Sequence, residues 1–429
     1  MSEPRLRLKS IKIIGEGFSP DQPWHIVIEK GIITRITDTW ADLDSDDGPI
    51  INEEGQEVFA SIGWCDLRAS FGEPGEEHKE TFTSGCRTAA AGGFSEVLLL
   101  PNTQPTVDTK AGVQAVLHHS SNYPVKLRAT AAVSVGAQGE QLTELLDLAQ
   151  AGATAFTDGL HPVSDPALSL KVLQYLQRIE GLYINQAVEP RLSAGAQMHE
   201  GLVSTALGMK GVPVLAECLA LKRDIDVLRY AGGRLHVSGI SSAEGVQLIR
   251  AAKAEGLALT ADVYVANLVY TDEDLADFDT NLKLEPPLRT AADRKALLDG
   301  LRDGTIDAIA TDHRPQDTEC KRLEFDLASP GMIGLQTAYS MLLTTGLSHA
   351  QLVEKLAVAP RRLLHLPVPR IAVGKKANLC LFNPNTQWVL NRAINHSKSA
   401  NSPAWNAQLK GAVVGLIAHG KSYFPAYVG

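Results

Sequence analysis

The polar residues that could do chemistry in this chain stand at the ends of short apolar runs. Asp66, Arg68 and Ser70 alternate in "GWCDLRASFGEPG" (Gly63 to Gly75), Asn102 follows "EVLLLP", Asp158 lies in "FTDGL", and Asp312 and His313 close "IDAIATDH". Two carboxylates, Asp158 and Asp312, could attract a hard cation or move a proton. The guanidinium of Arg68 could hold a carboxylate or a phosphate, or be consumed inside the protein by an ion pair with Asp66, Asp158 or Asp312. It cannot ligate a metal, because it carries only donors and a permanent positive charge.

Such groups need a scaffold that brings distant segments together. The runs "EVLLLPN", "VKLRATAAV", "ATAFTDG", "LYINQAV", "VPVLAE", "RLHVSGIS", "LALTADVY" and "IDAIATDH" read as short buried strands. Amphipathic stretches such as "SAEGVQLIRAAKAEG" (Ser242 to Gly256) read as the helices between them. This alternation predicts an α/β fold with a (β/α)8 TIM-type barrel, a doubly wound sheet being the alternative. No Gly-rich phosphate loop follows the first of these strands, which counts against nucleotide binding in the doubly wound version. In a closed barrel, chemistry gathers where the strands end. Both chain ends carry shorter strand-like runs, "HIVIEKGIITRI" near the start and "GAVVGLIAHGKSYF" near the finish. The expected division is residues 1–58 plus 371–429 as one small β domain, and 59–370 as the barrel.

With 429 residues, 44% of them hydrophobic, the chain can build a large core. Its formal net charge of −9 gives no basic surface for nucleic acid or anionic lipid. The acidic run "ADLDSDDG" (Ala41 to Gly48) is expected to be a solvated loop. The first residues, "MSEPRLRLKS", lack the basic-then-apolar pattern of a signal peptide, and no apolar run approaches a membrane span, so a cytoplasmic location is expected. The five cysteines, Cys65, Cys86, Cys218, Cys320 and Cys380, form no CxxC pair and are expected to be reduced core residues.

Longer stretches carry a resemblance. "EPGEEHKETFTSGCRTAAAGGFSEVLLLPNTQPTVD", "GVPVLAE" with "RDI" after it, "YTDEDLADFDTNLKLEPPLRTAADRKALLDGLRDGTIDAIATDH" and "GKKANLCLFNP" are similar to the dihydroorotase branch of the amidohydrolase superfamily. The resemblance spans nearly the whole chain. It implies a (β/α)8 barrel with a small β-sandwich built from both termini, and the zinc-assisted interconversion of carbamoyl-aspartate and dihydroorotate.

The resemblance also implies a set of metal and substrate positions, and most of them are altered here. Where the family has D-x-H-x-H-x-R-E-P-G, this chain has Asp66, Arg68, Ser70, Gly72, Glu73, Pro74 and Gly75. Arg68 and Ser70 thus replace two metal-binding histidines, and Gly72 replaces the arginine for the substrate carboxylate. The bridging carboxylate is kept as Asp158, but Gln186 and Gly239 stand where two further histidines belong. His236, three residues before Gly239, reads as a barrel-wall histidine. Glu285 replaces a substrate-binding asparagine, Gln316 replaces a histidine, and the "PHHL" turn has become "VANL" at Val265 to Leu268. Asn102, a substrate position, and Asp312, the general acid/base position, are retained.

The favoured expectation is therefore a non-catalytic dihydroorotase homologue of pyrimidine biosynthesis that needs no cofactor, whereas active relatives use zinc. The resemblance to zinc-less homologues implies aspartate carbamoyltransferase, self-association or both as partners. One alternative is an active dihydroorotase with an atypical, metal-poor site that recruits unplaced groups such as His78, His161, Glu189 or His199. The other is a ligand-binding module that uses the vestigial cleft.

Overall fold

A computed structural model describes residues 5–19, 21–40, 49–52, 56–119 and 122–427; the acidic run 41–48 lies outside the described residues. Eight parallel strands form the central sheet in chain order. They are Trp64–Ala69, Phe94–Leu99, Lys126–Ala131, Ala155–Phe156, Leu182–Gln186, Arg234–Ser238, Leu259–Tyr264 and Ala308–Ala310. The first strands are buried along their whole length, as a sheet covered on both faces requires, and this is why they read as near-continuous apolar runs.

The two ends of this sheet meet. A parallel bridge joins Ala69 to His313, and the Ser70 N–H donates to the His313 carbonyl at 2.8 Å. Asp66 adds a side-chain clasp, Oδ1 accepting from the Thr311 N–H at 2.8 Å and Oδ2 from its hydroxyl at 2.7 Å. The sheet is thereby brought to a barrel.

Helices start where short polar side chains satisfy the first free N–H groups. Thr81 and Ser84 cap Phe82–Ala91 reciprocally, Thr290 and Asp293 cap Ala291–Asp303, and Ser242 caps Ala243–Ala254. The last of these is the helix expected from Ser242 to Gly256, ended by Gly256 at φ +83.

One expected barrel strand is absent. "VPVLAE" gives only a two-residue strand, Gly211–Val212, paired with Met198–His199 outside the barrel, and then the helix Val214–Ala231. Pro213, which has no N–H to give a ladder, sits at the helix N-cap with φ −66 and ψ 147. The strand that completes the eight is instead the first, Trp64–Ala69, whose alternating Asp66 and Arg68 hide it from an apolar-run search.

Strands from both chain ends join one further eight-stranded sheet. Val58–Ser61 pairs with Leu6–Ile13 on one side and with Leu379–Val389 on the other. Its core of Leu8, Ile11, Ile26, Leu379 and Leu381 is almost wholly buried. Cys65, Cys86, Cys218 and Cys380 are buried, Cys320 is half-buried, and all five are free thiols. Among the described residues no helix is long and apolar enough to cross a membrane.

Candidate functional site

The ends of the first and last barrel strands place Arg68 beside Asp312. Arg68 Nε donates to Asp312 Oδ1 at 2.7 Å, with only 2% of the arginine and 7% of the aspartate exposed. Both terminal nitrogens of Arg68 point at the Gly159 carbonyl at 3.4 Å, and its Cζ lies 5.4 Å from the centre of the Tyr264 ring. Asp312 takes a left-handed backbone, φ +45, to present its carboxylate to the guanidinium. Burial pushes the Asp312 carboxyl above the ordinary carboxylate range, while Arg68 and then Arg314 pull it back. Of the three partners open to Arg68 from sequence, Asp312 is the one it meets.

Asp158 and Asn102 are committed to the backbone. Asp158 Oδ1 accepts from the N–H groups of Val133 and Ser134 at 2.9 and 3.0 Å, and Oδ2 accepts from the Ser134 hydroxyl. Burial raises its pKa in spite of these donors. Asn102 donates to the Asp158 carbonyl at 3.0 Å and accepts from the Leu160 N–H at 2.9 Å, so both ends of its amide brace the 158–160 turn.

At Gly239 the backbone is left-handed, φ +75, and an added Cβ would fall 2.5 Å from Tyr264 Cζ. Tyr264 is buried and its hydroxyl lies 3.3 Å from the Ser238 hydroxyl. Beneath it, Asp262 accepts from the Gly239 N–H at 2.6 Å and faces His236 Nε2 at 3.0 Å. His236 Nδ1 lies 2.9 Å from the Thr260 hydroxyl, so this histidine belongs to the barrel wall. Gln186 spends its amide on the Glu285 carbonyl at 3.3 Å.

Outside this plug lies a cleft of about 230 Å³ whose lining includes Ser70, Gly72, Lys79, Asn102, Arg314 and Gln316. Gly72 has φ +69, and a Cβ there would meet the Glu76 carbonyl oxygen at 2.7 Å, so the turn rejects any side chain. Glu285 is exposed and turned to Arg314, which it meets at 3.0 Å. Gln316 donates to the Pro330 carbonyl at 3.0 Å, and its buried Oε1 has no partner among the described residues.

This donor set does not fit zinc. One carboxylate is neutralised by a guanidinium, the other is saturated by three donors, position 186 carries an amide, and position 239 has no side chain. Among the described residues no three His, Cys, Asp or Glu side chains converge to hold a metal ion. A cation placed at the plug would stand against the Arg68 charge in a low-dielectric interior.

Residues with no motif around them do much of the filling. Tyr264, Asp262 and Ser238 gave no signal as single residues. The two-residue spacing of Asp262 and Tyr264 on one strand, matching that of Asp66 and Arg68, could have placed them on the barrel's inner face. The remaining polar candidates lie elsewhere. His78 is a surface residue 3.3 Å from Asp317, His161 is exposed, His199 accepts from Arg289 at 3.1 Å, and Glu189 caps the turn Pro190–Ser193.

Comparison with known proteins agrees with this architecture. A family model described as dihydro-orotase-like matches residues 60–245. A dihydroorotase of Syntrophus aciditrophicus (strain SB) is 34% identical over 427 residues, covering 97% of this chain and 98% of that protein. One from Anaeromyxobacter sp. (strain K) is 39% identical over 376 residues, covering 85% and 86%. Among solved structures, an L-hydantoinase from Arthrobacter aurescens superposes with a TM-score of 0.83 at 21% identity, covering 99% of this chain and 97% of that one. A dihydropyrimidinase from Brevibacillus agri NCHU1002 gives 0.79 at 17% identity, with 98% and 95% covered. The solved structures speak for the fold, and the full-length identity to the first two proteins speaks for the lineage: this chain belongs to the dihydroorotase family.

Proposed function

We propose that this chain is a non-catalytic dihydroorotase homologue that serves pyrimidine biosynthesis by holding or stabilising aspartate carbamoyltransferase. The observation that carries the first part is the buried Arg68–Asp312 pair under Tyr264. The family's reaction needs a water activated by a metal and a free base to manage its proton. Here the base position is tied to a guanidinium, and the metal's space is filled by that guanidinium and a phenol ring. Without the metal, attack on an amide loses several kcal/mol of charge stabilisation. The second part is supported by a frame that remains fully built around a plugged centre, as a protein kept for its shape requires. It is supported too by the resemblance to zinc-less homologues of that complex.

The test is hydrolysis of dihydroorotate by the purified full chain, with and without added zinc, alongside elemental analysis. Background rates and substoichiometric zinc are expected. Turnover above background in either condition would overturn the reading and favour an active, metal-poor enzyme. For the partner, co-purification with aspartate carbamoyltransferase and loss of its assembly without this chain are expected. A lone chain beside an unaffected transferase would count against it.

The cleft, with Ser70, Asn102 and Gln316 in its lining, supports a second reading, a binding module for a small polar ligand. Saturable binding of such a ligand, lost in Gln316→Leu, would select it.

A further inference from the structure

The opposite end of the barrel holds a cavity of about 630 Å³. Its lining includes Leu182 and Arg234, the first residues of their strands, whereas Gln186 and Gly239 lie at the other ends of the same strands. It is therefore separate from the plug and from the cleft above it.

Two arginines line this cavity, Arg178 and Arg234, and among the described residues neither touches a carboxylate. Neither Arg178 nor Arg234 has a carboxylate oxygen within 4.0 Å among the described residues. Arg68, Arg128, Arg223, Arg229 and Arg250, by contrast, each meet a carboxylate at 2.9 Å or less. In a chain of net charge −9 the lining thus carries two arginines against the single carboxylate of Glu180. Arg234 is held in place by carbonyls, NH1 donating to Glu180 O at 2.9 Å and NH2 to Leu363 O at 2.6 Å. Burial acts to lower its pKa, with the Glu180 charge opposing this.

His365 adds a donor of fixed sense. Its Nδ1 lies 3.4 Å from Arg234 NH1. A guanidinium can only donate, so Nδ1 accepts and the proton of the neutral ring sits on Nε2. The exposed His365 also lines the cavity, together with the apolar Phe156, Leu364 and Leu366. Glu180 contributes one carboxylate to the lining, against two guanidiniums.

We infer that this cavity binds a small organic anion, its carboxylate or phosphate head held by Arg178, Arg234 and the Nε2–H of His365, its apolar body against Leu364 and Leu366. The head supplies the contact ion pair that the more distant Glu180 charge does not, and paired N–H donors suit planar carboxylate and tetrahedral phosphate alike. The site lies at the face of the barrel away from the strand ends that carry chemistry, so binding there is a regulatory or stabilising event.

The test is calorimetric titration of the full-length chain with phenyl phosphate, benzoate and inorganic phosphate. Saturable binding of phenyl phosphate or benzoate, tighter than inorganic phosphate, is expected, and the preferred probe tells phosphate from carboxylate. Arg178→Gln, an exposed position that leaves the Arg234 bonds intact, should weaken the preferred probe at least fivefold. Arg362→Gln, an exposed arginine outside this cavity, should not. Absence of saturable binding by all three probes, or a loss under fivefold in Arg178→Gln, overturns the inference. Neither outcome bears on dihydroorotate hydrolysis or zinc content, so the inference and the proposed function fail independently.

Discussion

The ring of Tyr264 occupies the space into which a side chain at position 239 would project, its Cζ 2.5 Å from an ideal Cβ on Gly239. The loss of a ligand at 239 and the presence of the tyrosine are therefore one structural fact. Restoring histidine at that single position cannot restore a site.

Gly239→His should destabilise the protein by about 2–5 kcal/mol, combining the cost of a left-handed backbone with that of overpacking. Urea unfolding measures this. Measured in a Tyr264→Ala background, where the clashing ring is gone, Gly239→His should cost only the backbone part, and no cost there would show that the φ of +75 is without strain.

Removing the charge of Arg68 strands a buried carboxylate. Arg68→Met should cost about 3–5 kcal/mol at pH 8, and Arg68→Met with Asp312→Asn should cost much less, since both charges then leave together. Asparagine also tolerates the left-handed φ of +45 at position 312. A double variant as unstable as the single one would disprove the ion-pair account.

The barrel clasp should give a pH dependence. Burial pushes the Asp66 carboxyl up to about 7, outweighing the two bonds from Thr311. A folded-state pKa above the unfolded one means that the fold retains a proton which the unfolded chain releases. The stabilisation is full below about pH 4 and is lost as pH rises to about 7. The unfolding free energy of the wild type relative to Asp66→Asn should fall by about 4 kcal/mol across that window, three units at about 1.4 kcal/mol each. A flat difference between pH 4 and 8 would refute the assignment.

Asn102→Ala should leave the Asp158 carbonyl and the Leu160 N–H without their partners, at a cost of about 2–4 kcal/mol. Binding of any ligand in the 230 Å³ cleft should survive where the protein stays folded, because the amide is already spent on backbone. A selective loss of cleft binding with unchanged stability would return Asn102 to a ligand-contacting role.

Seven of the eight barrel strands are legible in the sequence because strands buried on both faces read as short apolar runs. Trp64–Ala69 escapes that search because Asp66 and Arg68 interrupt it, and "VPVLAE" imitates a strand until Pro213 turns it into a helix start. The replaced positions are equally legible, but what they do instead is not. That Asn102 braces a turn, or that Glu285 swings out to Arg314, depends on neighbours more than 25 residues away. Tyr264 is the clearest case: nothing in "ADVY" announces a plug, since its role exists only against Gly239 and Arg68.

The clasp between Asp66 and Thr311 has a consequence for biosynthesis. The two residues are separated by 245 positions, so the first barrel strand leaves the ribosome long before the partner that closes it. At common elongation rates the interval is roughly 10–50 s. Throughout it the Trp64–Ala69 edge stands open, offering unpaired N–H and C=O groups to any passing chain. The nascent protein is thus most vulnerable to misassembly in the half-minute before Thr311 emerges, and depletion of cotranslational chaperones should lower its yield more than that of a helical protein of equal length.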